Sequence, residues 1–349
     1  MNMLMIELLT IALLTALVCV IPGVFLVLRG VSLMSDAISH ALLLGIVSMF
    51  LVVRSLTSPL LLVGATLAGF AVVVLTEYAM QQFKLHKDAA IGLFFPFFFS
   101  CAVILISVYT RDVHLDIDMV LLGDMVFAPF SRHSICGVDC GPHAILLITA
   151  MLALSMLVVG LLYRPLVMSI FDPLIAHSVT ISSNHLYYLM MFLTSMIAVA
   201  IFSVVGSVVV VAFMIVPAAT AYCTARSVKQ MLVHTSFYSI NAAAFGYFYA
   251  TVADVSIAGS IAAATGIIFM LVVMGAPQTG MLGKLWHYGE TWLKTCVMLV
   301  VKHQKGKTIE VSSLKELYGW KRWWACCVVY YGLHMTKLIK LNNKYYVRE

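Results

Sequence analysis

The chain has 349 residues, 62% of them hydrophobic and only 10% charged, with a formal net charge of +6. A soluble domain carries nearer a quarter charged residues, so this composition excludes an ordinary soluble protein and fits a polytopic membrane protein. The positive charge is unevenly shared. Residues 281–349 hold 12 Lys/Arg against 4 Asp/Glu, net +8, whereas the first 280 residues hold 9 against 11, net −2. Two regions in different environments are expected: a transmembrane domain over 1–280 and a basic C-terminal extension over 281–349.

Nine apolar runs reach bilayer-crossing length, at about 5–28, 36–53, 59–80, 89–109, 143–162, 187–205, 207–225, 230–250 and 256–275. The first has no basic segment before it and no small-residue cleavage site, and reads as a retained span. The sixth and seventh are divided at Gly206, because the run from Leu186 to Ala225 is too long for one crossing. One long tilted helix, or a re-entrant pair, would give eight. The expected fold class is therefore all-α, with eight to nine transmembrane helices. With the N-terminus outside, Arg29, Lys84, Lys87, Arg164, Arg226, Lys229 and the basic tail lie inside, against Arg54, Arg111 and Arg132 outside. Eighteen basic residues against three set the C-terminus in the cytoplasm.

The second run opens on the only stretch that places an acid and an imidazole one helical turn apart at bilayer depth, Asp36 and His40. Ionisable groups at that depth are costly and mark ion or substrate paths. One oxygen and one nitrogen make half a coordination sphere, and a two-fold dimer would supply four ligands. Such a set suits Mn(II), Fe(II) or Zn(II) better than Cu(I). A buried Asp–His hydrogen bond that only fixes helix packing accounts for the same spacing.

The connection 110–142 is external and carries Asp112, Asp116, Asp118, Asp124 and Asp139. Its acidity suits an approaching cation, although acids are also simply tolerated outside. His133, Cys136, Cys140 and His143 fit three readings: an external metal-capture site, a small disulfide loop, or four unlinked residues. The other cysteines form no framework, and the 21 methionines form no ladder. The internal connection 163–185 holds Phe171, Asp172, Pro173 and Ala176. Asp172 as cap and Pro173 in the first turn predict a helix start there. A short helix on the cytoplasmic face would dock a partner, and an ordinary connector remains the plainer reading. Pro217 is expected to kink the seventh run.

In the tail, 284–303 reads as an amphipathic helix, 321–338 as a second helix and 339–347 as a hairpin around Asn342-Asn343. Helix, turn, helix and hairpin outline a degenerate winged helix. Its Trp, Cys and Tyr content argues against nucleic acid as a partner. The chain has no Gly-rich phosphate loop and no zinc-hydrolase or nucleophile-elbow signature. It reads as a non-enzyme, and any ATP hydrolysis would belong to a separate chain.

Five stretches occur together in one order: Ser32-Leu33-Met34-Ser35-Asp36-Ala37-Ile38-Ser39-His40-Ala41; Asp88-Ala89-Ala90-Ile91-Gly92; His114-Leu115-Asp116-Ile117-Asp118 with Leu122-Gly123-Asp124; Phe171-Asp172-Pro173; and Val205-Gly206 through Pro217-Ala218-Ala219-Thr220-Ala221. Over about 5–276 the chain thereby resembles the permease subunit of the ABC-3 family, importers of manganese, zinc or iron in bacteria. The resemblance implies a subunit of an ATP-binding cassette importer in the bacterial cytoplasmic (inner) membrane, surrounded by lipid and working by alternating access. Asp36 and His40 would be metal ligands in the translocation path, shared with a second permease chain, identical or paralogous. Phe171, Asp172, Pro173 and Ala176 would belong to a coupling helix against an ABC ATPase. A periplasmic or extracellular metal-binding protein would deliver the metal. No permanently bound cofactor is implied, only the transported ion. Ser35 stands where the family usually has Gly, Leu44 where it often has Pro, and the tail resembles the winged-helix regulator domain fused to some members. The alternative function is an ion-coupled secondary metal transporter, with Asp36 and His40 relaying protons.

Overall fold

A chain with no water to satisfy its backbone must pair every amide internally, which favours helices throughout. The computed structural model describes residues 3–55, 58–109, 125, 128–130, 132–135, 138–172, 183–276, 281–303, 322–334, 338–341 and 344–347. Among the described residues ten α-helices precede Ala276: α1 (Met3–Val18), α2 (Val20–Arg29), α3 (Met34–Val53), α4 (Leu60–Phe83), α5 (Lys87–Tyr109), α6 (His143–Phe171), α7 (Ser183–Val205), α8 (Ser207–Thr224), α9 (Val228–Ala253) and α10 (Ile257–Gly275). A short antiparallel hairpin, β1 (Arg132–Ile135) and β2 (Val138–Pro142), leads into α6. Among the described residues eight spans qualify by length and apolarity for crossing a membrane, with α1 and α2 counted together. The more polar α9 falls outside that count, yet its 26 residues pack along α1 and α8.

Two punctuation points are set by single residues. Pro22 lacks the N–H that would reach Val18, and its ring crowds that carbonyl. The first run is accordingly interrupted at Cys19 into α1 and α2, where one unbroken helix was expected. Gly206 adopts φ 84°, ψ 169°, a conformation essentially restricted to glycine. It separates α7 from α8, as the division at this residue anticipates, so the single long helix is not formed. Pro165 does not stop α6. The helix runs nine residues past the expected end at 162, with Leu166 and Ser169 buried in its last turns. Pro217 lies within α8, which is assigned as one helix from end to end.

The bundle is organised around α7, fifteen of whose 23 residues are buried. It packs against α2, α3, α4, α6 and α8. In hydrocarbon, helices gain little from apolar burial and approach through small residues. A Cβ on Gly45 of α3 would overlap the Gly64 carbonyl of α4, and one on Gly23 of α2 would overlap the Met214 carbonyl of α8. Ser195 of α7 donates from Oγ to the Thr66 carbonyl of α4 at 3.0 Å, beside Gly69. These close approaches leave α3 packed between α4, α5, α7 and α8.

The chain divides into two compact units, Met1–Val272 and Val273–Glu349. In the second, α11 (Met281–His303) and α12 (Arg322–His334) pack together. The Tyr331 hydroxyl donates to Glu290 at 3.1 Å, and Lys294 pairs with Glu290 at 2.7 Å. The strands β3 (Leu338–Leu341) and β4 (Lys344–Val347) form the hairpin expected from the sequence. The segment 304–321, which would supply the turn of a winged helix, lies outside the described residues.

Gly45→Leu is expected to lower the stability of the detergent-purified chain by about 3 kcal/mol, the overpacking cost of a backbone-to-backbone contact. Gly266→Ala, where an added Cβ meets nothing within 4 Å, should leave the melting temperature unchanged or slightly higher. Equal melting temperatures for the two variants would remove the close-approach account.

Candidate functional site

The turn that delivers α3 is short and fully hydrogen-bonded. Gly30 takes φ 65° and closes α2, with the Val31 N–H donating to the Leu26 carbonyl at 3.0 Å. This is the left-handed cap that glycine favours. The Met34 N–H then donates to the Val31 carbonyl at 3.0 Å, and α3 begins at once. Asp36 therefore falls in the first turn of a helix, where the macrodipole favours an anion.

From Met34 to Gly45 α3 is buried except along one stripe, and beyond Val47 it opens more widely. Asp36, His40 and Leu44, spaced four apart, are each half-buried, with 43% of the Asp36 side chain and 28% of the His40 side chain exposed. The His40 Nε2 lies 3.5 Å from Asp36 Oδ1, longer than a good N–H···O bond. Two ligands on one tetrahedral ion at 2.0–2.2 Å each would stand about 3.4 Å apart. The spacing thus suits two groups that share an ion better than two groups that satisfy each other. His40 Nδ1 is buried with no hydrogen-bond partner. Metal-bound imidazoles usually donate their second N–H, and this one has no acceptor among the described residues. Among the described residues, no three His, Cys, Asp or Glu gather as a metal cluster.

The imidazole is held by α5. Its ring centroid lies 4.9 Å from that of Phe95 and 5.6 Å from that of Phe99. The sequence pointed to neither, because Phe94 to Phe99 holds five phenylalanines around Pro96 and only the helix rotation selects two of them. Ser35 is fully buried and donates to the Met214 sulfur at 3.3 Å. Ser39 donates to the Ser35 carbonyl at 3.0 Å. Both hydroxyls are engaged in packing α3. α3 also runs unbroken through Leu44 and Gly45.

The remaining sequence-marked residues are dispersed. Phe171 is exposed at the end of α6, and Asp172 terminates that helix, its N–H donating to the Met168 carbonyl at 2.9 Å. Asp172 thus closes a helix at its C-terminal end, and the helix expected to open after it falls on residues outside those described. Pro173 and Ala176 lie outside the described residues. His133 is in β1, Cys140 in β2, and His143 is the first residue of α6, while Cys136 lies outside the described residues. Asp112, Asp116, Asp118 and Asp124 do as well.

A second polar cluster was not signalled by the sequence. Arg29, the last residue of α2, donates from Nη2 to Ser169 Oγ of α6 at 2.9 Å and lies 4.8 Å over the Tyr187 ring of α7. Its carbonyl accepts from Lys87 Nζ of α5 at 2.7 Å. A cavity of about 330 Å³ opens beside it, lined by Glu77, Gln81, Asn184 and Tyr188 among others. Neither Asp36 nor His40 lines this cavity.

Residues 1–276 match the ABC 3 transport family. The chain is 37% identical over 266 residues to the manganese transport system membrane protein MntD of Bacillus subtilis, covering 76% of this chain and 90% of that one. It is 38% identical over 274 residues to the zinc transport system membrane protein TroD of Treponema pallidum, covering 78% and 74%. The solved structure of PsaBC from Streptococcus pneumoniae in complex with Fab superposes with a TM-score of 0.65 at 27% identity, over 80% of this chain and 94% of that one.

Arg29→Met is expected to destabilise the chain by about 2 kcal/mol, through loss of a charge-assisted hydrogen bond and a ring contact. Ser169→Ala should reproduce about half of that loss. Melting curves of both variants in detergent check it, and unchanged curves would show that the cluster carries no packing load.

Proposed function

The chain belongs to the ABC 3 transport family, and from that premise we propose that it is the permease subunit through which an ATP-driven importer takes up a divalent transition metal. Manganese and zinc are favoured by the transport systems of MntD and TroD, and iron is admitted by the ligand chemistry. The chain supplies the path and a separate ABC ATPase supplies the hydrolysis. It spans the bacterial cytoplasmic membrane with its C-terminus inside, as the basic-residue count favours.

The observation that carries the reading is the Asp36/His40 pair, standing side by side at 3.5 Å on a partly open stripe in the first half of α3. Two donors are too few to hold an ion. The open stripe is where a second permease chain, identical or paralogous, would bring its own pair to complete four ligands. In that arrangement Asp36 neutralises part of the ion's charge and His40 adds a borderline-soft nitrogen. Phe95 and Phe99 restrict the imidazole to few orientations. Transient, partial coordination suits transport, because an ion held by a complete rigid cage would not be released. Phe171, Asp172, Pro173 and Ala176 are assigned to coupling with the ATPase, and an external binding protein to delivery. For His133, Cys136, Cys140 and His143 a capture role at the outer face is retained as a proposal.

The test is uptake of radiolabelled Mn(II), Zn(II) and Fe(II) into proteoliposomes holding the chain, its partner permease and its ATPase. Asp36→Ala and His40→Ala should each reduce ATP-dependent uptake at least about 10-fold, with assembly intact by size-exclusion chromatography. Wild-type uptake in both variants would overturn the ligand assignment. Uptake that ignores ATP and follows a proton gradient would favour the secondary-transporter reading instead.

A further inference from the structure

Helix α11 has two faces of different character. Cys296, Val297 and Val300 are buried, whereas Tyr288 and Trp292 are 74% and 51% exposed and Met298 and Leu299 are exposed beside them. Tyr288, Trp292 and Leu299 are spaced by four and seven residues, which places them in one line along the helix. Lys302 is exposed and flanks the end of that line. Lys284, Glu290, Lys294 and Lys302 make α11 too polar to cross a bilayer, and it is absent from the qualifying spans.

Position along the chain limits what can cover this face. Only residues 276–280 separate the end of the membrane-spanning α10 from the start of α11, a reach of at most about 20 Å. A helix of 23 residues, about 35 Å long, is therefore tethered within a short distance of the bilayer surface. The unit around it has a sequence net charge of +8 over 281–349. A line of Tyr, Trp and Leu flanked by Lys is the pattern of a helix that lies in the headgroup layer, and clustered cations add attraction to anionic lipid.

We infer that α11 lies on the bilayer surface where the chain emerges from it, with Tyr288, Trp292, Met298 and Leu299 set into the headgroup region of anionic lipids. The basic extension is thereby a lipid-reading element, independent of the transport reaction and of which metal is carried. The step in composition at residue 281 then has a physical cause: the extension meets a charged interface and the first unit meets hydrocarbon.

All five tryptophans, Trp286, Trp292, Trp320, Trp323 and Trp324, lie in the extension, so indole emission of the full chain reports on nothing else. The experiment uses the full chain with Trp292 kept and the other four changed to Phe, in nanodiscs of phosphatidylcholine with or without phosphatidylglycerol. Bromine on the upper acyl-chain carbons serves as the quencher. The inference expects blue-shifted emission that loses about half its intensity in phosphatidylglycerol-containing discs, with less quenching in pure phosphatidylcholine and at high salt. Emission typical of a water-exposed indole, unquenched in both discs, overturns it. A blue shift without quenching also overturns it, because protein then covers the face. Should the four-fold variant fail to fold, the share of bromine quenching lost on Trp292→Phe in the otherwise unsubstituted chain gives the same reading, and no loss overturns the inference.

Discussion

Holding an acid and an imidazole at bilayer depth is possible only if the helix that carries them cannot move away from the strain of doing so. That constraint accounts for most of the bundle. α3 is gripped by α4 across Gly45 and Gly64, by α8 through the Ser35–Met214 contact, and by α5 through the rings on His40. Ser195 in turn fixes α4 to α7 through the Thr66 carbonyl. The grips of α4 on α3, α8 on α3 and α7 on α4 depend on a small side chain or a hydroxyl, because lipid offers no hydrophobic reward for bringing apolar helices together. In the first half of α3 the stripe left open is the one that carries the polar pair.

How much of this the sequence disclosed depends on the range of the interaction. The spans are local facts of composition, and eight of the nine expected runs appear as single helices with boundaries shifted by a few residues. Gly206 was readable because its conformation is a property of glycine itself. The interruption at Cys19 follows from Pro22 by the same local chemistry, yet the run read as one span because its apolarity is unbroken. The overrun of α6 past Pro165 escaped for a different reason. Proline lowers the odds of helix, but burial of Leu166 and Ser169 and the bond from Arg29 reward its continuation. Asp172 then became the end of that helix, and the start expected after it lies outside the described residues.

The candidate site divides along the same line. Asp36 and His40 were legible because their four-residue spacing is a statement about one helix. Phe95, Phe99 and Met214 were not, since each meets α3 from another helix and depends on rotation and tilt that no spacing encodes. Arg29 was counted only as an orientation signal, although its neighbours come from three other helices. Ser35, a departure from the family pattern, is accommodated because its hydroxyl finds a sulfur and does not face hydrocarbon unpaired.

The turn between α2 and α3 has a mechanical meaning as well. Arg29 is fastened to α6 two residues before Phe171 on that helix, and Asp36 follows it by only seven residues. Four backbone bonds tighten the turn between them: Gly30 to Val27, Val31 to Leu26, Met34 to Val31, Ser35 to Ser32. Such a joint has no slack. The end of α6 and the base of α3 are tied through one short turn, so the spacing between those two helix ends is set by Arg29 and four backbone bonds.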